Sequence, residues 1–443
     1  MKRNSETNLW VVALISSFGL LVPHGVVSAG GDTDLFTSVV PPNVMLVVDN
    51  SGSMNHVVWH PAFDPALTPS CAVWNNDATY IFSSTLVFSR CGNQRTLYPD
   101  PNIGGWTRIS GRYLNWIFSD ESDSYQNDIG STNNGSRSAC LIAEGLSPTF
   151  SKYRRSRISA AKEVLREVIC NVNLKGDVRF GLSQFYRSGD PMGGYVSVPV
   201  DDYTVSQGNK IDSFIQNLAG ETWTPLSETL YNVYRYFQSR TDPTIGKDGS
   251  TAFPKYDIRT NGSTTSNMSL VPPSPVQFSC QRSFVIIITD GEPTKDDFDG
   301  MDRARFEGKL IGDYNPDNLL PEAGDETPSN CVGCNETSYY LDDIAKFMQE
   351  NDFQSDFPDD QVIDVYTIGF TTSPVANQLL DKTASEGNGL FFFSNNAEQL
   401  APAIISAVAD IIEKTQAFTS ATVPASRTTD GDNFYTSFFL PKA

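Results

Sequence analysis

Residues 43–55 read NVMLVVDNSGSMN. Val44 to Val48 form an unbroken apolar run of strand length, and the polar turn Asp49-Asn50-Ser51-Gly52-Ser53 ends it. A second run, Phe284 to Ile288, is the strongest buried strand in the sequence and ends the same way, at Thr289-Asp290-Gly291. Around these two runs, strand-like and helix-like segments alternate. Residues 151–172 place Ile158, Ala161, Val164, Leu165, Val168 and Val172 at helical spacing. Strands are expected at Arg179–Phe185, Val362–Phe370 and Leu390–Phe393, and helices at 207–218, 225–237, 338–349, 374–386 and 396–414. This alternation predicts an α/β fold: an open, mainly parallel sheet with helices on both faces.

Three segments interrupt the series. Residues 55–150 put 96 residues between the first strand and its helix, far beyond an ordinary connection, and are expected to form an inserted subdomain. Residues 240–282 lead from a helix back to a strand, at the amino-terminal edge of the sheet. Residues 291–337 lead from a strand to a helix, at the carboxyl edge, where open α/β sheets bind ligands.

Composition narrows the function. The 443 residues carry 52 acidic against 32 basic side chains, a formal net charge of −20, which argues against nucleic acid as a partner. Hydrophobic residues at 39% are enough for a buried core. With only His24, His56 and His60, the chain has little material for a Ser/His/Asp enzyme or a histidine-rich metal site. Lys2 and Arg3, the apolar stretch Leu9 to Pro23 and the small residues Val27-Ser28-Ala29 read as a signal peptide cleaved after Ala29, since the stretch is too short for a membrane anchor. The mature protein is therefore expected to be exported without a transmembrane anchor. In that compartment Cys71, Cys91, Cys140, Cys170, Cys280, Cys331 and Cys334 are disulfide candidates, with one left over and a connectivity the sequence does not reveal.

Asp49 and Asp290 stand at the ends of two buried strands and should meet in one crevice. Ser51 and Ser53 add hydroxyls from alternate positions of a tight turn, and Thr224, in Trp223-Thr224-Pro225-Leu226, adds a third from the start of a helix. Oxygen ligands of this kind suit a hard divalent cation. Either turn alone would pass as an ordinary strand terminus; the three elements together, in this order, resemble the von Willebrand factor A domain and its metal-ion-dependent adhesion site, Asp-x-Ser-x-Ser with a separate Thr and Asp.

That resemblance covers residues 43–415 with the insertions set aside, within a domain expected over 30–415. It implies that Asp49, Ser51, Ser53, Thr224 and Asp290 hold a cation, Mg²⁺ first and Ca²⁺ or Mn²⁺ as alternatives. It also implies adhesion rather than catalysis, through an open position that takes a carboxylate from a protein ligand. A narrower similarity lies in Pro41-Pro42-Asn43-Val44, the large insertion after the first turn, and Ile287-Ile288-Thr289-Asp290-Gly291-Glu292-Pro293-Thr294. These look like the amino-terminal half of PilC/PilY-type type IV pilus tip proteins, which implies a role in pilus biogenesis, adhesion or surface sensing. The implied partners are minor pilins or a host surface protein, and the implied location is the periplasm, the outer surface or the pilus tip. That group continues into a β-propeller with its own calcium site; here residues 416–443 form a β-prone tail resembling the lead-in to one, as expected of a fragment or a short form. A general surface adhesin of the same fold is the alternative, and a periplasmic hydrolase a remote one.

Other features read as structural. Trp59, Trp74, Trp106 and Trp116, with Arg90, Arg95, Arg108, Arg112 and Arg137, suit either an aromatic core for residues 55–150 or a partner surface. His56 and His60 lack a zinc motif, Cys331 and Cys334 lack a second ligand pair, and Asp313 to Asp317 lacks the rest of a calcium loop. Asp296, Asp297, Asp299 and Asp302 read as a solvated acidic loop. They belong to a segment, 291–337, with twelve acidic and four basic residues, whose charge is expected to concentrate cations at the site.

Overall fold

The computed structural model describes residues 40–103, 106–170, 176–185, 193–239, 255–256, 273–296, 305–306, 309–310, 339–394 and 396–418. The expected signal peptide, the acidic residues from Asp297 to Glu336, Cys331 and Cys334, the Asp313 loop and the tail beyond Phe418 lie outside them.

The central sheet has six longer strands: β1 (Asn43–Val48), β2 (Arg179–Phe185), β3 (Gly194–Asp201), β4 (Ser283–Thr289), β5 (Ile363–Phe370) and β6 (Asn388–Ser394). Their order is β3-β2-β1-β4-β5-β6, with the two-residue strand Lys255–Tyr256 beside β3. All neighbouring pairs are parallel except β2 with β3. Sequence patterning located β1, β2, β4, β5 and β6 to within a residue or two, and did not find β3.

The helices are α1 (Arg157–Cys170), α2 (Val205–Asn217), α3 (Leu226–Phe237), α4 (Leu341–Glu350), α5 (Pro374–Glu386) and α6 (Ala397–Phe418). Their starts follow local chemistry. Thr204 caps α2 by accepting from Gln207 N, and Ser373 caps α5 by accepting from Ala376 N ahead of Pro374. Because side chains alternate across a strand, β1 feeds two cores. Val44, Leu46 and Val48 pack with α1, α2 and α6; Met45 and Val47 pack with α3, α4 and α5. Burial on both faces is why β1 and β4 read as unbroken apolar runs rather than alternating ones.

Between β1 and α1 the chain forms antiparallel pairs 79–82 with 107–110, 86–90 with 93–97 and 135–136 with 149–150, together with helix Gly111–Phe118. These residues have their own apolar cluster, with Phe63, Tyr113 and Trp116 buried and Trp59 and Trp74 packed against it. Trp106, in contrast, is 65% exposed. Disulfides join Cys71 to Cys91 and Cys140 to Cys170, and Cys280 is exposed with no disulfide partner among the described residues. The described end of segment 240–282 lies, as expected, at the amino-terminal edge: Arg282 O accepts from Asn43 N, and Pro275 O from Arg179. No helix among the described residues is long and apolar enough to cross a membrane.

Candidate metal centre

β1 has β2 on one side and β4 on the other, so chain direction through the sheet reverses between β1 and β4 and a crevice opens at their carboxyl ends. The register pairs Val48 with Ile288, which sets Asp49 at the level of Thr289 with Asp290 one residue further out along the neighbouring strand end. Asp49 is wholly buried and spends its carboxylate on backbone and hydroxyl donors. Its Oδ1 accepts from Ser51 N at 2.7 Å, shaping the turn; its Oδ2 accepts from Thr289 Oγ1 at 2.6 Å and Asp290 N at 3.3 Å. One carboxylate thus locks both strand ends. In front of it, Ser51 Oγ and Ser53 Oγ are 2.7 Å apart, and Ser53 Oγ donates to Asp290 Oδ1 at 2.6 Å.

Thr224 reaches this edge through two straps. Glu221 N donates to Asn50 O at 2.9 Å and Gly52 N to Thr222 O at 2.8 Å, laying the segment before α3 along the turn. Gly220 permits that approach, since a Cβ there would meet Ser51 O at 2.8 Å. From the other side, residues 291–296 leave Asp290 and cross to α3. Thr224 and Thr294 exchange backbone hydrogen bonds at 3.2 and 3.1 Å, and Asp296 accepts from Ser227 N and Glu228 N at 2.8 and 3.0 Å. Asp296 therefore caps the first turn of α3 from a distant part of the chain. This corrects the sequence reading of a solvated acid: Asp296 is completely buried, because the orphan amides of the helix start give its charge a place inside.

Ser51, Ser53, Thr224 and Asp290 all line one cleft of about 1010 Å³, with Asp49 beneath its floor. Trp59, Arg108, Trp223, Glu292 and the loop Thr371–Pro374 complete its walls. Thr371 adopts a φ of 57°, unusual for a β-branched residue, and its buried Oγ1 has no hydrogen-bond partner among the described residues.

Burial, and then the negative charge of Asp290, push the Asp49 carboxyl up to about 7. Sequence reasoning missed the cation that offsets Asp290. Arg157, the first residue of α1, donates through Nη1 to Asp290 Oδ2 at 2.8 Å, with both side chains buried. It also missed Asn50, whose side chain bonds both backbone groups of Phe185 at the end of β2. His56 and His60 do not form a metal pair. His56 bonds Ser53 O and Thr79 Oγ1, while His60 bonds Asp128 and stacks on Trp116. Burial first, then the charge of Arg157, lowers His56 to about 4. Cys140 and Cys170, close to Glu144, are joined in a disulfide and are not available as thiolates.

The donor set fits a hard cation. All five side chains offer oxygen, and within the run Ser51 Oγ, Ser53 Oγ and Asp290 Oδ1 successive oxygens stand 2.7 and 2.6 Å apart. That is slightly inside the edge of about 3.0 Å for an octahedron with metal–oxygen bonds near 2.1 Å.

No protein-family model matches the chain, and no curated protein does. Among solved structures, the chain is similar to the pilus adhesin SpaC from Lactobacillus rhamnosus GG, at 14% identity and a TM-score of 0.35, over 85% of this chain and 31% of SpaC. It is similar to the PilB minor pilin from Streptococcus sanguinis at 14% identity and 0.36, over 86% of this chain and 62% of PilB. A third is proximal thread matrix protein 1 from the mussel byssus, solved with a zinc-occupied MIDAS motif, at 10% identity and 0.28, over 83% of this chain and 47% of that one.

Proposed function

We propose that this chain is a metal-dependent protein-binding domain of the von Willebrand factor A type. Ser51, Ser53, Thr224 and Asp290, with Asp49 behind them, hold a divalent cation, Mg²⁺ first. The observation that carries this reading is the run of short oxygen contacts Ser51–Ser53–Asp290 on the floor of an open cleft at the sheet's switch point.

Bound there, the cation would supply a positive charge for a carboxylate of a protein partner. The chain's own residues leave that charge incompletely balanced. Three of the five donors are neutral hydroxyls, and Arg157 already neutralises half of the carboxylate pair. Asp49 keeps the hydroxyls aimed by holding the turn from inside.

The domain acts by adhesion and not by turnover, in an exported protein associated with type IV pili. Support for the pilus setting is the sequence resemblance carried by Pro41 to Val44, the large insertion after the first turn and Ile287 to Thr294. A surface adhesin unrelated to pili is the second reading, and recovery of pili from a deletion strain separates the two. The metal reading is tested by titrating Mg²⁺ into wild-type, Asp49→Ala and Asp290→Ala proteins by calorimetry. Stoichiometric cation binding in both variants would sink it.

A further inference from the structure

The five arginines of residues 55–150 do not share one role. Arg95 pairs with Asp123 and Arg137 with Glu163, while Arg90 and Arg112 donate to the carbonyls of Ser89 and Pro65. Arg108 differs. Among the described residues its guanidinium has neither an ion pair nor a hydrogen bond, and its Nε is buried without a partner.

Its position is fixed by the backbone on both sides. Arg108 pairs with Ile81 across the two antiparallel strands, and its carbonyl accepts from Val57 N at 2.9 Å, on the segment leaving the metal turn. The side chain then lies over Gly52. A Cβ on Gly52 would meet Arg108 Nη2 at 3.0 Å and Nη1 at 3.1 Å, so the missing side chain is what lets the guanidinium rest against the turn. Among the described residues that line the cleft, Arg108 is the sole basic one. It also lines an adjoining groove of about 770 Å³, whose rim carries the exposed Trp106 and Ile81.

An unpaired guanidinium beside a cation site is unfavourable twice over, through the desolvated Nε and through repulsion of the cation. An acceptor arriving from outside relieves both. We infer that Arg108 is an anchor for a carboxylate of an acidic protein segment that lies across the Asp49–Ser53 turn, its planar fork taking the carboxylate oxygens. The exposed Trp106 and Trp223 flank that path and offer the apolar surface such a segment needs. The inference deepens the adhesion reading and rests on it for the companion anchor, but the recognition of negative charge by Arg108 does not require the metal.

The test uses the full chain, with Arg108→Gln and Arg108→Lys variants. Mg²⁺ affinity is measured by calorimetry. Binding of two fluorescent heptapeptide pools, identical except for a central Asp or Asn, is measured by anisotropy in saturating Mg²⁺. The wild-type protein should prefer the Asp pool, and Arg108→Gln should bind that pool about tenfold more weakly, the loss of a charge-assisted hydrogen bond. Arg108→Gln should leave the Asn pool unchanged and bind Mg²⁺ as tightly as wild type or more so, with Arg108→Lys intermediate for the Asp pool. Absence of an Asp preference in wild type, an unchanged preference in Arg108→Gln, or equal loss of both pools overturns the inference. Failure of wild type to bind Mg²⁺ would count against the cation site instead; an Asp preference that still vanished in Arg108→Gln would sustain the role of Arg108.

Discussion

Arg157 Nη1 donates to Asp290 Oδ2 at 2.8 Å while Ser53 Oγ donates to the other oxygen of the same carboxylate, so Asp290 is divided between a buried guanidinium and the Asp49–Ser53 turn. Removing one partner of a buried pair leaves a charge without compensation and costs about 3 to 5 kcal/mol. Arg157→Met should therefore lower stability in chelator by about that amount. A divalent cation can replace the lost charge, so Mg²⁺ should raise the melting temperature of Arg157→Met more than that of wild type. Thermal denaturation of both proteins with and without Mg²⁺ checks this; equal shifts would show that Arg157 does not compensate Asp290.

Asp49 makes metal-free stability depend on pH in the direction opposite to most carboxylates. Burial and the Asp290 charge raise its carboxyl from 3.8 to about 7. Its contribution is therefore whole below about 3.8 and is lost as pH rises through about 7. Asp49→Asn does not titrate. In chelator, the stability of Asp49→Asn relative to wild type should increase between about pH 4 and about pH 7, and saturating Mg²⁺ should abolish or reverse that increase by favouring the ionised wild-type carboxylate. Urea melts across that range measure the difference. A flat difference in chelator would mean that Asp49 ionises without penalty.

Much of this site could be read from the chain because its parts are local. Asp49, Ser51 and Ser53 lie within five residues, and Asp290 announces itself at the end of the most apolar strand. Buried strands were legible for the same reason: β1 and β4 have no polar face to hide. β3 was not, because Ser197 and Pro199 interrupt it and its neighbour on one side is only two residues long, an edge-like setting in which proline is tolerated. Arg157 and Asp296 escaped because their roles depend on burial against partners 133 and 68 or 69 residues away. Nothing in the composition around either residue separates a buried charge from a solvated one.

Asp296 should act on the cation without touching it. Its carboxylate takes two amides at the start of α3, and the strap that carries it pairs Thr294 with Thr224. Loss of a capping carboxylate costs about 1 to 2 kcal/mol. Asp296→Ala should lose about that much stability and also weaken Mg²⁺ binding, because Thr224 is no longer held against the turn, whereas Thr294→Ser, which keeps both the backbone pairing and the hydroxyl that accepts from Thr224 N at 3.0 Å, should keep most of the affinity. Calorimetry and denaturant melts on the two variants separate the effects. Undiminished Mg²⁺ affinity in Asp296→Ala would show that Thr224 is positioned from the Glu221 side alone.

The bridge between Cys71 and Cys91 spans a sequence separation of 20 residues within the aromatic cluster formed after β1. Closing a loop of that size removes chain entropy from the unfolded state equivalent to about 3 kcal/mol. The cluster it serves is distinct from the two cores on the faces of the sheet, so the loss should be felt locally first. In a Cys71→Ser, Cys91→Ser double variant, the tryptophan signal, dominated by Trp59, Trp74 and Trp116, should change at a lower temperature than the far-ultraviolet signal of the sheet and helices. Mg²⁺ binding should persist beyond that first transition, up to the second, since Asp49, Ser51, Ser53, Thr224 and Asp290 hang from the sheet, α3 and the straps between them. Binding of the acidic peptide pool should fall earlier, because Arg108 is carried by the strand Thr107–Ser110 and leaves the turn when that strand comes apart. Coincident loss of the tryptophan signal, the secondary structure and Mg²⁺ binding in one transition would instead make these residues and the sheet a single cooperative unit.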